Sequence, residues 1–178
     1  MSQFSPTLSI PVSEQDHSQG PANAPVTLVE YGDYQCPYCG EAYFIVKAVQ
    51  ERFGDRLRFV FRNFPITTSH PYAEQAAEAA ESAAAQGRFW EMHDLLYEHQ
   101  QSLDGRHLLH LAGELKLDLS KFEADLIGHR YADRVHDDFM GGVRSGVNGT
   151  PSFFINGERY DGSWDQSSLI EAIEAKTR

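Results

Sequence analysis

Long apolar runs are missing from this chain. No stretch approaches the roughly 20 consecutive apolar residues of a membrane-spanning helix, and the opening MSQFSPTLSIPVSEQDHSQG has neither the basic nor the apolar segment of a secretory leader. A soluble, cytoplasmic protein is the expectation. Basic residues are also few, 15 Lys+Arg against 26 Asp+Glu, for a formal net charge of −11. Phosphate backbones and anionic headgroups would repel such a molecule, so neither nucleic acid nor membrane is an expected partner. Cysteine occurs only twice in 178 residues, both times within Cys36-Pro37-Tyr38-Cys39. A domain of this length buries roughly 70% of the surface its unfolded chain exposes and can build a core without staples. A disulfide closing so short a loop would remove little chain entropy. A second C-x-x-C is absent, and His107 and His110, one turn apart, are no obvious second half of a zinc site, so no metal is expected. Redox chemistry then stands against one bland alternative, a pair of buried structural cysteines.

The segments that are present fall into order. Residues 1–24, rich in Ser, Gln, Pro and Gly, read as an arm with a short strand around Leu8 to Pro11. Val26 to Tyr31 is a β-rich apolar run suited to a strand buried on both faces. Cys36 to Arg52 has helical spacing at Tyr43, Val46 and Val49, and Arg58 to Phe61 is a second strand. Strand, helix and strand make a βαβ unit with the cysteines where the first strand feeds the helix. From His70 to about Ser145 the period is helical, enough for four or five helices, with Ala73, Ala76, Ala77, Ala80, Ala83 and Ala84 forming a small-residue face. Ser152 to Ile155 and Glu158 to Tyr160 flank Asn156-Gly157, a dipeptide suited to the positive φ angles of a type I′ hairpin turn. A last helix follows, capped by a Ser163/Gln166 box or by Asp165.

Proline is favoured at the first helical position, which makes Cys36 the N-cap and places Cys39 one turn further in. Residues three apart on a helix lie within disulfide reach. The unpaired N–H groups of Tyr38 and Cys39 and the helix dipole favour a Cys36 thiolate, making Cys36 the attacking, solvent-accessible sulfur and Cys39 the buried resolving one. Glu30 is a lone carboxylate in an otherwise apolar strand, six residues before Cys36. Burial would raise its pKa and let it exchange a proton with Cys39. Thr150-Pro151 puts a proline where the head of a strand would want an N–H, which a cis peptide would explain.

The segments Ala24 to Tyr31, Asp33 to Cys39, HPYAEQAAEAAESAAAQGRFWEMHDLLY and GTPSFFINGERYDGSW resemble the DsbA-like family of thiol:disulfide oxidoreductases. The resemblance implies an α/β protein with a thioredoxin fold and an inserted all-helical subdomain. Residues 25–64 and 147–178 would form the thioredoxin-like part, and residues 65–146 the insertion. It implies Cys36 as nucleophile, Cys39 as resolving thiol, Glu30 as the buried acid, and Pro37, Tyr38, Thr150 and Pro151 as the surface that meets substrate. It also implies no cofactor beyond a redox-active Cys36–Cys39 disulfide, with protein or small-molecule thiols and disulfides as substrates and glutathione or a thioredoxin-type donor as partner. A peptide-binding or holdase module of the same fold is the non-enzymatic alternative. The Pro-Tyr dipeptide is that of glutaredoxins and supplies no cationic ring beside Cys36. The expected reduction potential is therefore intermediate, about −200 to −230 mV.

Overall fold

The computed structural model describes residues 6–178. The first strand, β1 (His17–Gln19), runs antiparallel along β3, with His17 opposite Phe61. The strand of the arm thus lies here and not at Leu8 to Pro11. Around Leu8 the arm makes a single bridge, Thr7 to Glu158, and one bond from Leu8 N to Gly157 O at 2.9 Å. Pro6 and Pro11 on either side lack the N–H that a longer ladder would need.

Strand β2 (Val26–Gly32) pairs in parallel with β3 (Leu57–Asn63), and α1 (Pro37–Phe53) with a single 3-10 turn at Gly54–Arg56 joins them. Five helices come next: α2 (Ala73–Ala85), α3 (Phe89–Glu98), α4 (Gly105–Glu114), α5 (Leu119–Ile127) and α6 (Ala132–Arg144). The chain then returns as β4 (Ser152–Ile155), β5 (Glu158–Tyr160) and α7 (Gln166–Ala175), completing a sheet of order β1-β3-β2-β4-β5. Strand β4 is antiparallel to β2. The expected fold class is the observed one, a thioredoxin fold with a helical insertion. Asn156 and Gly157 both have positive φ, 50° and 84°, as a type I′ turn requires. Asp165 caps α7 by accepting from Ser168 N at 3.0 Å, while Ser163 Oγ donates to the Asp165 carboxylate and so forms no box with Gln166.

Side chains alternate across β2. Val26 and Leu28 enter a large core shared with α1, α7 and the inserted helices, whereas Val29 and Tyr31 enter a smaller one with Phe64, Val147 and Phe154. Phe139 of α6 closes the smaller core by stacking on Phe64, ring centroids 4.4 Å apart. Period two puts Glu30 on the Leu28 side, beneath α1. Its neighbours across the sheet are Phe61 and Phe153, so it is a carboxyl group in an apolar layer.

Candidate active site

Cys36 is the N-cap of α1, with extended backbone (φ −70°, ψ 122°), and Pro37 opens the helix. Two side chains from outside the helix fix this turn. The buried carboxylate of Asp33 accepts from Gln35 N at 2.8 Å and Cys36 N at 3.2 Å through one oxygen. Through the other it takes Ile66 N at 2.9 Å and His70 Nδ1 at 2.7 Å. Gln100, just past α3, donates from Nε2 to the carbonyls of Tyr34 and Cys36, both at 2.9 Å. Gly40 makes room for that amide, since a Cβ at position 40 would run into Gln100 Oε1.

The two sulfurs differ in environment. Cys36 is held down at about 5, first by a hydrogen bond from the Cys39 thiol, against an opposing contribution from burial. The Thr150 side chain helps, as do the N–H groups of Cys39 and Tyr38. Those N–H groups act as dipoles aimed at the sulfur rather than as close hydrogen bonds. Thr150 serves both protonation states. The neutral thiol donates to its carbonyl at 3.6 Å, and its hydroxyl, which has no other partner among the described residues, is free to donate to a thiolate. Cys39 is pushed well above its ordinary value, chiefly by burial, then by its bond to Cys36 and by Glu30. Burial, with the nearby Cys36 charge as a lesser cause, raises Glu30 to about 8.

Glu30 retains 2% of its surface, Cys39 none and Cys36 only 4%. Cys36 is therefore less open than its helix-tip position suggested, because the Thr150 loop lies over the sulfur. Pro37 and Tyr38 are exposed beside it, Tyr38 at 62%. The Thr150–Pro151 peptide is cis. Cys36, Cys39, Glu30 and Thr150 thus meet at one end of the sheet, with Pro37, Tyr38 and Pro151 as their chain neighbours. Sequence reasoning missed Asp33, His70 and Gln100. An Asp three residues before an N-cap is a recognisable Asx-turn signal. Gln100 has no local signal, because it acts 64 residues from Cys36.

A family model described as Thioredoxin matches residues 12–175. Among solved structures, oxidised BdbD from Bacillus subtilis superposes with a TM-score of 0.84 at 26% identity, covering 97% of both chains. A thioredoxin-like oxidoreductase from Silicibacter pomeroyi gives 0.81 at 27% identity, covering 93% of this chain and 94% of that one. The alpha-DsbA1 of Wolbachia pipientis, at 18% identity, covers 94% of this chain and 93% of its own and shares the fold with a TM-score of 0.79. Among curated relatives, the Na(+)/H(+) antiporter NhaA 1 of Salinispora arenicola is 48% identical over 167 residues, which are 93% of this chain and 26% of that protein. The protein of the same name in Mycobacterium sp. (strain KMS) is 44% identical over 172 residues, covering 95% of this chain and 28% of its own length.

The chain spans about a quarter of the length of the curated relatives it matches. That finding overturns the cytoplasmic expectation. In those relatives the matching stretch is part of a longer protein that bears a membrane transporter's name. Among the described residues no helix is long and apolar enough to cross a membrane.

Proposed function

This chain belongs to the thioredoxin family and has the fold of the DsbA-like thiol:disulfide oxidoreductases, and on that premise we propose that it exchanges disulfides through Cys36 and Cys39. In the reducing direction the Cys36 thiolate attacks one sulfur of a substrate disulfide and the other sulfur leaves as a thiolate. Cys39 then gives its proton to Glu30 in its ionised form, which burial makes the minor form below about pH 8, and attacks the mixed disulfide at Cys36, which releases the second substrate thiolate and leaves the Cys36–Cys39 disulfide. The oxidising direction is the reverse, with Cys39 as leaving group recovering its proton from Glu30. Thr150 and Pro151, with the exposed Tyr38 opposite, form the surface that meets an extended substrate.

One observation carries this reading: two sulfurs one helical turn apart are driven in opposite directions, Cys36 down to about 5 and Cys39 up. A structural pair has no use for that asymmetry, whereas attack and resolution need it. Tyr38 withholds the cationic ring that would stabilise the thiolate further. We therefore place the potential between the roughly −270 mV of thioredoxin and the roughly −120 mV of DsbA, near −200 to −230 mV, with glutathione or a thioredoxin-type protein as electron partner.

The test is trapping. Cys39→Ser should accumulate mixed disulfides on Cys36 and Cys36→Ser should accumulate none. Turnover that survives loss of both cysteines would overturn the proposal and favour a peptide-binding module.

A further inference from the structure

Among the described residues, three buried polar atoms without a hydrogen-bond partner belong to side chains around the two cysteines: Glu30 Oε1, Thr150 Oγ1 and the Tyr97 hydroxyl. Glu30 and Thr150 have been given roles, and Tyr97 has none. A hydroxyl sealed from water and left unpaired is costly, and it calls for a partner that arises in another state of the molecule.

Tyr97 belongs to α3, three residues before Gln100, and is buried. Its ring stacks on Tyr43 of α1 with centroids 5.4 Å apart and tilts against Tyr34 at 4.9 Å. Those contacts send the hydroxyl over Gly32, where a Cβ would sit 2.9 Å from the oxygen. Period two puts Gly32 in the same row of β2 as Leu28 and Glu30, so the hydroxyl takes the space left by the missing side chain, beneath α1. The next residue, Asp33, directs its N–H at the Cys39 sulfur. Hydroxyl and sulfur therefore approach the same turn, one from α3 and the other from α1. Burial, followed by the charge of Cys39, holds Tyr97 well above the ordinary tyrosine value, so its proton stays on the oxygen. The Tyr34 hydroxyl nearby is already engaged with His93 Nδ1 at 2.9 Å.

We propose that the Tyr97 hydroxyl is a hydrogen-bond donor to the Cys39 thiolate that forms when a mixed disulfide on Cys36 is resolved. The inference rests on the role of Cys39 proposed above. In the dithiol, Cys39 is neutral and donates its own proton to Cys36, so Tyr97 has no anion to bind. Once Cys36 is held in a mixed disulfide and Cys39 has passed its proton to ionised Glu30, a full negative charge sits on a sulfur with no exposure to water. The Asp33 N–H is one donor to that sulfur, and the hydroxyl, drawn in by the charge, is the second. The bond from Cys39 to Cys36 then forms, the bond from Cys36 to the substrate sulfur breaks, and the charge leaves with the substrate thiolate. Tyr97 keeps its proton throughout.

Tyr97→Phe keeps the ring and removes the donor. Release of thiol from a mixed disulfide preformed on Cys36 should slow about 10- to 100-fold, the worth of a hydrogen bond to a charged group. The pH at which release is half-maximal should rise by about one unit or more. Alkylation of Cys36 should be unaltered, because attack does not require a charge on Cys39. Urea unfolding of the dithiol should find the variant at least as stable as the parent, since the unpaired hydroxyl is gone. Slower resolution in a protein that has lost no stability separates a donor from a packing residue, whose removal harms both. Release and pH profile unchanged in Tyr97→Phe, or slowing accompanied by a loss of stability, would overturn the donor while trapping by Cys39→Ser leaves the role of Cys39 standing. Slowing that disappears when Glu30→Gln is already present would assign the hydroxyl to the carboxyl group and would overturn the proposal as well. A Cys39→Ser variant that traps nothing would instead overturn the role of Cys39 itself.

Discussion

In the folded dithiol protein Glu30 keeps its proton up to about pH 8 while Cys36 loses its own near 5. The two shifts act on stability with opposite signs. Between the ordinary carboxylate value of 4.5 and about 8, the folded state holds a proton on Glu30 that the unfolded state has lost, so stability falls as pH rises. Between about 5 and the ordinary thiol value of 9, the unfolded state holds a proton on Cys36 that the folded state has lost, so stability rises with pH. Each slope approaches about 1.4 kcal/mol per pH unit where its proton difference is complete. In the dithiol they largely cancel from pH 5 to 8. In the disulfide form Cys36 no longer titrates, while burial, the larger cause of the Glu30 shift, remains. Urea unfolding at pH 5 and pH 8 should therefore find that the disulfide form loses stability relative to the dithiol as pH rises, and Glu30→Gln should remove the part of that loss that burial of the carboxyl causes. Parallel curves for the two forms would contradict the coupling. Glu30 was legible in the sequence as the one acid in VTLVEY. Thr150 was legible for its proline neighbour, but the use of its hydroxyl and carbonyl needed the loop to be seen lying over Cys36.

The start of α1 depends on a side chain that belongs to another element. Pro37, the N-cap and the spacing of Tyr43, Val46 and Val49 are local features, and the sequence alone was enough to draw the helix. The fit between Gly40 and Gln100 is not local, and periodicity carries no trace of it. Gln100→Ala should cost about 1–3 kcal/mol, because it removes the amide that satisfies the Tyr34 and Cys36 carbonyls. Gly40→Ala should also destabilise, since its methyl group would collide with Gln100 Oε1. Combined, the two substitutions should cost less than their sum, because the clash disappears with the amide. Strictly additive losses in a denaturant series would show that position 40 is constrained by something other than Gln100. The arm shows the same division between local and distant causes. Its strand falls at His17–Gln19 because the open edge of β3 is there, and no signal within the arm could have announced that.

At the scale of the molecule, a buried ion pair fastens the arm to the sheet. Arg62 of β3, 4% exposed, holds Asp16 through two bonds of 2.8 and 3.0 Å and also donates to Ile10 O and the Tyr31 hydroxyl. Arg62→Met should cost about 3–5 kcal/mol by leaving Asp16 buried without its counter-charge. Adding Asp16→Asn should recover part of that loss, and chemical denaturation of the three variants measures it. A double variant no more stable than Arg62→Met would mean that the other bonds of the guanidinium dominate. The sequence run RFVF showed the strand but ends at Phe61, one residue before Arg62, and nothing local to Arg62 announces that the arm covers it.

The five inserted helices leave the sheet after Phe64 and come back at Val147, two residues that share the smaller core. For the strands, everything between them is one tether with neighbouring ends. The entropy of closing a tether grows only with the logarithm of its length, about 0.6 kcal/mol for each doubling. The span that carries α4 and α5 is therefore free to lengthen or shrink over evolutionary time at little thermodynamic penalty to the sheet. What is held fixed is where the insertion touches the sheet: the Gln100 amide on the Cys36 carbonyl, the stack of Phe139 on Phe64 and the helix faces that enter the large core.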